Sequence, residues 1–116
     1  MEIIKFPFDS VAFFERCVRN KTIPRNDFEK QAILMRLIED FKDDTFYSEQ
    51  DVDGSIKKYF EDYALLRREF VNFGYMGRDA SGAKYWVTKR KLTKEDVSKN
   101  TILRRHAKVF GVLDEK

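Results

Sequence analysis

Residues 62–88 limit the possible folds more than any other stretch of this chain. Tyr63, Leu66, Phe70 and Phe73 recur at i, i+3, i+7 and i+10, which draws one apolar face on a helix. Asp62 is placed to cap its start and Gly74 to end it in a left-handed turn. Two β-prone runs follow, with Ser81-Gly82 between them as a hairpin signal. Upstream, Ser48 with Asp51 makes a capping pair, and Val52, Ile56, Tyr59 and Phe60 give a second, short helical face. Gly54 inside it costs about 1 kcal/mol relative to Ala. Thr45-Phe46-Tyr47 reads as a single short strand. Strand, helix, turn, helix and hairpin is the order of a winged helix-turn-helix.

The flanks add helices. Asp9-Ser10 caps a helix over 10–19, with Val11, Phe14 and Val18 on its buried face and Cys17 beside them. Asn26 or Asp27 caps a helix reaching about Phe41, whose apolar stripe covers more than half its circumference, so it is packed on more than one side. Thr93 and Asp96 start a last helix from Lys94 to about Val109, with a thin stripe of Leu103, Ala107 and Phe110. The expected fold is therefore α+β, a winged helix-turn-helix with added N-terminal and C-terminal helices. It forms one domain over 1–116: a core at 20–88, an N-terminal helix within 1–19 and a C-terminal extension at 92–116. The expected core holds Phe28, Met35, Ile38, Val52, Ile56, Leu66, Phe70 and one of Tyr85 or Trp86.

Several residue groups look familiar together: Ile23-Pro24, Tyr47-Ser48-Glu49, Leu66-Arg67-Arg68 and Tyr85-Trp86 behind Gly82. Over about residues 20–88 the chain resembles an uncharacterised bacterial domain family found alone or fused behind helix-turn-helix transcription regulators. The resemblance implies a bacterial, cytoplasmic, winged-helix-like protein and no particular activity. Asp53 departs from the Asn usual there, and Asn26-Asp27-Phe28-Glu29-Lys30 is acidic where the family is often basic.

Composition excludes more than it selects. One Cys and one His leave no disulfide framework, no Cys-rich zinc site and little for a His-based triad. No apolar run approaches the roughly 18 residues of a membrane helix, and the N-terminus has no signal layout. Asp51-x-Asp53-Gly54 lacks the other ligands of a calcium loop. No cofactor, metal or catalytic constellation is expected, so the chain is read as a non-enzyme.

Charge is more informative by position than in total. The net charge is +3, yet 27–62 carries five positive against eleven negative residues, and 63–91 carries seven against two. The basic stretch coincides with the second helix and the hairpin. The expected nucleic-acid-binding residues are Arg68 and Asn72 on the helix, Arg78 and Lys84 flanking the hairpin tip, and Lys89, Arg90 and Lys91 after it. Arg67 is instead expected in a structural ion pair with Glu49, Asp51 or Asp62, Asp62 being the favoured partner. Tyr85 and Trp86 face opposite sides of a strand, so one is core and the other covers the helix or stacks on a base. The leading expectation is a bacterial transcription regulator that binds double-stranded DNA and pairs with itself through 94–110. The competing one is a protein-interaction or sensory module on the same scaffold.

Overall fold

A computed structural model describes residues 2–111. Its elements are α1 (Ser10–Asn20), α2 (Asp27–Leu37) continued by a 3-10 turn (Ile38–Asp40), α3 (Glu49–Lys57), α4 (Tyr63–Asn72), β1 (Met76–Arg78), β2 (Tyr85–Val87), α5 (Lys94–Lys99) and α6 (Thr101–Lys108). The fold is α+β and winged-helix-like in its order of α3, α4 and hairpin. Among the described residues no helix is long and apolar enough to cross a membrane. The chain forms two compact units, Leu34–Arg90 and the segments before and after it. α2 gives its first half to the flanking unit and its last residues to the central one.

The central unit carries the helix-turn-helix. Ser48 accepts from Asp51 N–H while the Asp51 carboxylate accepts from Ser48 N–H, so α3 starts in a full capping box. Asp62 accepts from Leu65 N–H at 3.2 Å and starts α4. α4 stops at Gly74 (φ +82°), where Tyr75 N–H bonds back to Phe70 O and Gly74 N–H to Val71 O. Those two bonds form a Schellman motif, which a side chain at Gly74 would strain. Antiparallel β1 and β2 pair Met76 with Val87, Gly77 with Trp86 and Arg78 with Tyr85. Tyr47 adds a one-residue third strand, exchanging two 2.8 Å backbone bonds with Tyr85.

This register settles which aromatic is core. Tyr85 is buried and Trp86 is half-buried on the outer face. Val52, Ile56, Leu66, Phe70 and Tyr75 are fully enclosed, and Phe70 meets Phe41 edge to face at 5.8 Å between centroids. Met35 departs from expectation and is only half-buried. α2 turns Leu34, Leu37 and Ile38 to the core and leaves Met35 on its flank.

The flanking unit differs from the sequence reading in its helices. The last helix is two helices: Asn100 is extended (φ −106°, ψ 113°), breaks the run and caps α6 through Leu103 N–H. Val11 is 66% exposed, while Phe14 and Cys17 carry the buried side of α1. His106 is half-buried, and its Nδ1 accepts from Asp27 N–H at 2.7 Å, at the start of α2. Burial pushes the Cys17 thiol up. The α6 stripe expected to pair with a second copy packs within this unit instead, with Leu103 and Ala107 buried and Phe110 against Phe8 and Phe28.

Phe70 fills the centre of the helix-turn-helix core. Phe70→Ala is expected to lose about 3–5 kcal/mol of stability, read from the shift in a urea unfolding midpoint. A midpoint within experimental error of the wild type would mean that α4 does not pack in this register.

Candidate nucleic-acid interface

The central unit holds five arginines, and the structure divides them. Arg36 reaches Asp40 at 3.2 Å and Tyr59 Oη at 3.3 Å. Arg67 lies between Asp53 and Glu49, with Glu49 at 3.1 Å. Arg90 donates to Asp43 through Nε and Nη2, to Ile38 O through Nη1 and to Phe41 O through Nη2, so it closes the end of the 3-10 turn. Arg68 and Arg78 make no ion pair among the described residues, and both are exposed. The first stands on the outer face of α4, the second on β1.

Adjacent arginines thus have opposite roles because helix positions one apart differ by 100°. Arg67 turns towards α3. Burial alone would lower its pKa, but the hydrogen bond and charge of Asp53, with the charge of Glu49, outweigh that and raise it. The ion pair expected with Asp62 is absent. Asp62 stands at the helix start, its carboxylate on Leu65 N–H, and the Arg67 side chain goes to α3 instead.

Asn72 lies one turn after Arg68 and is exposed, with its amide donating to Glu69 Oε1 at 3.0 Å. Lys84 is exposed, and its Nζ sits 5.1 Å from the Phe46 ring centroid. Lys89 and Arg90 do not join this surface. Lys89 Nζ donates to Phe73 O at 2.7 Å and lies 4.6 Å over the Tyr75 ring, so it caps the end of α4. Both cations close helix ends, where unpaired carbonyls attract them. Lys91 is exposed and belongs to the flanking unit. No sequence signal separated Lys89 and Arg90 from this surface: the carbonyls they serve lie 16 to 52 positions back along the chain.

The hairpin tip is built on Asp79. Its Oδ1 accepts from Ala83 N–H at 2.8 Å and Lys84 N–H at 3.1 Å, and its Oδ2 from Ser81 Oγ at 3.2 Å. The Lys84 backbone bond foremost, with the Ala83 backbone bond and the Ser81 hydroxyl, outweighs an opposing desolvation and holds the carboxyl below the usual aspartate range. Gly82 (φ +76°) completes the turn. The tip therefore presents Arg78 and Lys84 from an ordered loop, with the one hairpin carboxylate turned onto the loop's own N–H groups.

The same unit has a groove of about 580 Å³ along α3, lined by Phe41, Phe46, Tyr47, Asp51, Gly54 and Lys58 among others. Among the described residues no three His, Cys, Asp or Glu side chains cluster to hold a metal.

A family model described as an uncharacterised protein conserved in bacteria, DUF2087, matches residues 19–87. That span runs from the end of α1 to the end of β2 and takes in the whole helix-turn-helix and hairpin. No curated protein and no solved structure matches the chain.

Asp79 gives the tip a pH dependence of known sign. Its folded-state pKa is depressed, so its contribution is complete above the unfolded aspartate range and disappears as pH falls through the folded value. The amide signals of Ala83 and Lys84 are expected to titrate together, below the ordinary aspartate range, and Asp79→Ala is expected to abolish that titration. A wild-type titration at the ordinary aspartate position would show that the carboxylate is not held by the loop.

Proposed function

The chain belongs to this conserved bacterial family, and from that premise we propose that it is a nucleic-acid-binding winged-helix protein, a transcription regulator acting on double-stranded DNA in the cytoplasm. One observation carries the reading: of the five arginines in the central unit, the two without an ion pair among the described residues stand on α4 and β1. α4 is then the helix that enters the major groove, with Arg68 and Asn72 towards base edges or phosphates. The hairpin tip carries Arg78 and Lys84 along the phosphate backbone. The resemblance to domains fused behind helix-turn-helix regulators agrees with this setting. A second copy fits the same reading, since a two-fold protein matches paired half-sites. Ile102 and Val109, 49% and 77% exposed on and just after α6, are the face it would use.

A protein-interaction module is the second reading. The groove along α3 favours it. Gly54 stands mid-helix on that groove, and a Cβ there would meet nothing within 4 Å. No contact within the chain calls for a glycine at this point, and its absent side chain leaves backbone open to an incoming partner.

Two arginine variants test the reading by fluorescence anisotropy of a labelled DNA duplex. Arg68→Ala is expected to weaken binding, to keep the thermal melt and to lower the log–log salt slope by about one unit. Arg67→Ala is expected to lower stability by about 1–3 kcal/mol through the loss of charged hydrogen bonds. A folded wild type with no duplex binding at low salt overturns the DNA reading and leaves the groove as the working surface. For the dimer, the double variant Ile102→Glu, Val109→Glu is expected to halve the mass of the wild-type particle in light scattering. A wild type that is monomeric at high concentration removes the second copy.

A further inference from the structure

We propose that the outer face of the hairpin sheet is a stacking platform for an unpaired base of a nucleic-acid strand. This rests on the nucleic-acid reading above and extends it to a second surface and a second kind of strand. The platform is Trp86 with Phe46, on the side of the sheet away from the core. Tyr47 and Tyr85 are bridge partners, so their chain neighbours Phe46 and Trp86 both point to the opposite face. The two rings stand 5.9 Å apart at 87°.

Three features mark this face as more than a covering. The first is Gly77, directly across from Trp86: a Cβ there would lie 2.7 Å from the indole. Only a residue without a side chain lets the indole lie on the strand at this position. The second is the exposure of Phe46, 66% in a residue type that proteins usually enclose. The third is a cation on the same face: Lys84 Nζ lies 5.1 Å from the Phe46 centroid. The only carboxylate of the hairpin, Asp79, is engaged with the tip's own N–H groups.

An exposed phenylalanine ring and a half-buried indole beside a lysine suit a base and its phosphate. Base–aromatic stacking and charge contact are the two terms that hold single strands without sequence preference. Duplex DNA presents no free base face, so this surface and the α4 surface take different ligands. A DNA strand opened beside a bound duplex supplies the unpaired base.

Trp86 is the only tryptophan in the chain, so its emission reports on this face alone. The experiment titrates the full-length protein with a thymidine 15-mer, following Trp86 emission, and in parallel with a labelled duplex, following anisotropy. The expected result is quenching by the single strand. Phe46→Ala is expected to weaken single-strand affinity roughly tenfold while leaving duplex affinity unchanged. Lys84→Gln is expected to keep the quenching amplitude and to lower the salt slope by about one unit. Unchanged Trp86 emission with the single strand overturns the platform, whatever the duplex does. Duplex failure with single-strand quenching overturns only the α4 reading. A Trp86 shift driven by protein concentration alone means that a second copy covers this face. Equal quenching by polyglutamate means that an acidic protein surface does. Either outcome overturns the proposal.

Discussion

The helix-to-strand junction at Gly74 governs the geometry of the central unit. Between Asn72 and Met76 the chain ends α4, turns at Gly74, buries Tyr75 fully and begins β1. Tyr75 N–H to Phe70 O is the bond that makes this possible. The hairpin then returns to the same point. Thr88 Oγ1 donates to Gly74 O at 2.6 Å, Thr88 N–H to Tyr75 O at 2.8 Å, and Lys89 Nζ to Phe73 O. Helix end and hairpin base are tied by one set of bonds, so the side chains of α4 and those of the hairpin tip are held in a fixed relation. Loosening this junction would separate Arg68 from Arg78 without touching either.

Charge in this unit is sorted by whether a backbone or carboxylate partner lies within reach. Arg90 and Lys89 look in the sequence like the continuation of a basic wing. Their chemistry is that of helix C-termini, whose last carbonyls carry partial negative charge and lack internal partners. The acidic stretch is sorted in the same way. Asp51 and Asp62 cap helices, Asp53 and Glu49 hold Arg67, and Asp43 holds Arg90. The polarity between an acidic middle and a basic third quarter is thus largely an internal pairing pattern. Among the described residues it leaves over Arg68, Arg78, Lys84 and Lys91.

The helices were legible wherever a local rule decides them. The caps at Asp9, Ser48, Asp62 and Thr93, the stop at Gly74 and the face of Tyr63, Leu66 and Phe70 each depend on residues within one or two turns. What was not legible depends on residues far apart. Asn100 reads as a helix interior because the flanking apolar spacing continues through it, yet Asn favours caps and its side chain accepts from Leu103 N–H. An Asn-Thr pair inside an otherwise thin stripe was the available signal. His106 bonding to Asp27 spans 79 positions, and Arg90 bonding to Asp43 spans 47, and neither has a trace in spacing. Val11 fits the helical period and is still exposed, because a period gives a face and not what covers it.

The order of Tyr85 and Trp86 shows how a sequence ambiguity becomes chemistry. Alternation along a strand requires that one face in and one out, and alternation alone cannot choose. The choice comes from the partner strands. Tyr85 bonds to Tyr47, the Tyr47 hydroxyl accepts from Lys42 N–H, and the Tyr47 ring meets Phe41 edge to face. Those contacts draw the Tyr47–Tyr85 side onto the core. Trp86, the larger ring, is left outside, where Gly77 makes room for it. Moving β2 by one residue would bury Trp86 against Gly77's opposite face and expose Tyr85, inverting every side chain of the strand. The exposed aromatic face is therefore fixed by the same Tyr47 bridge that completes the sheet, and it cannot be lost by slippage without losing the core as well.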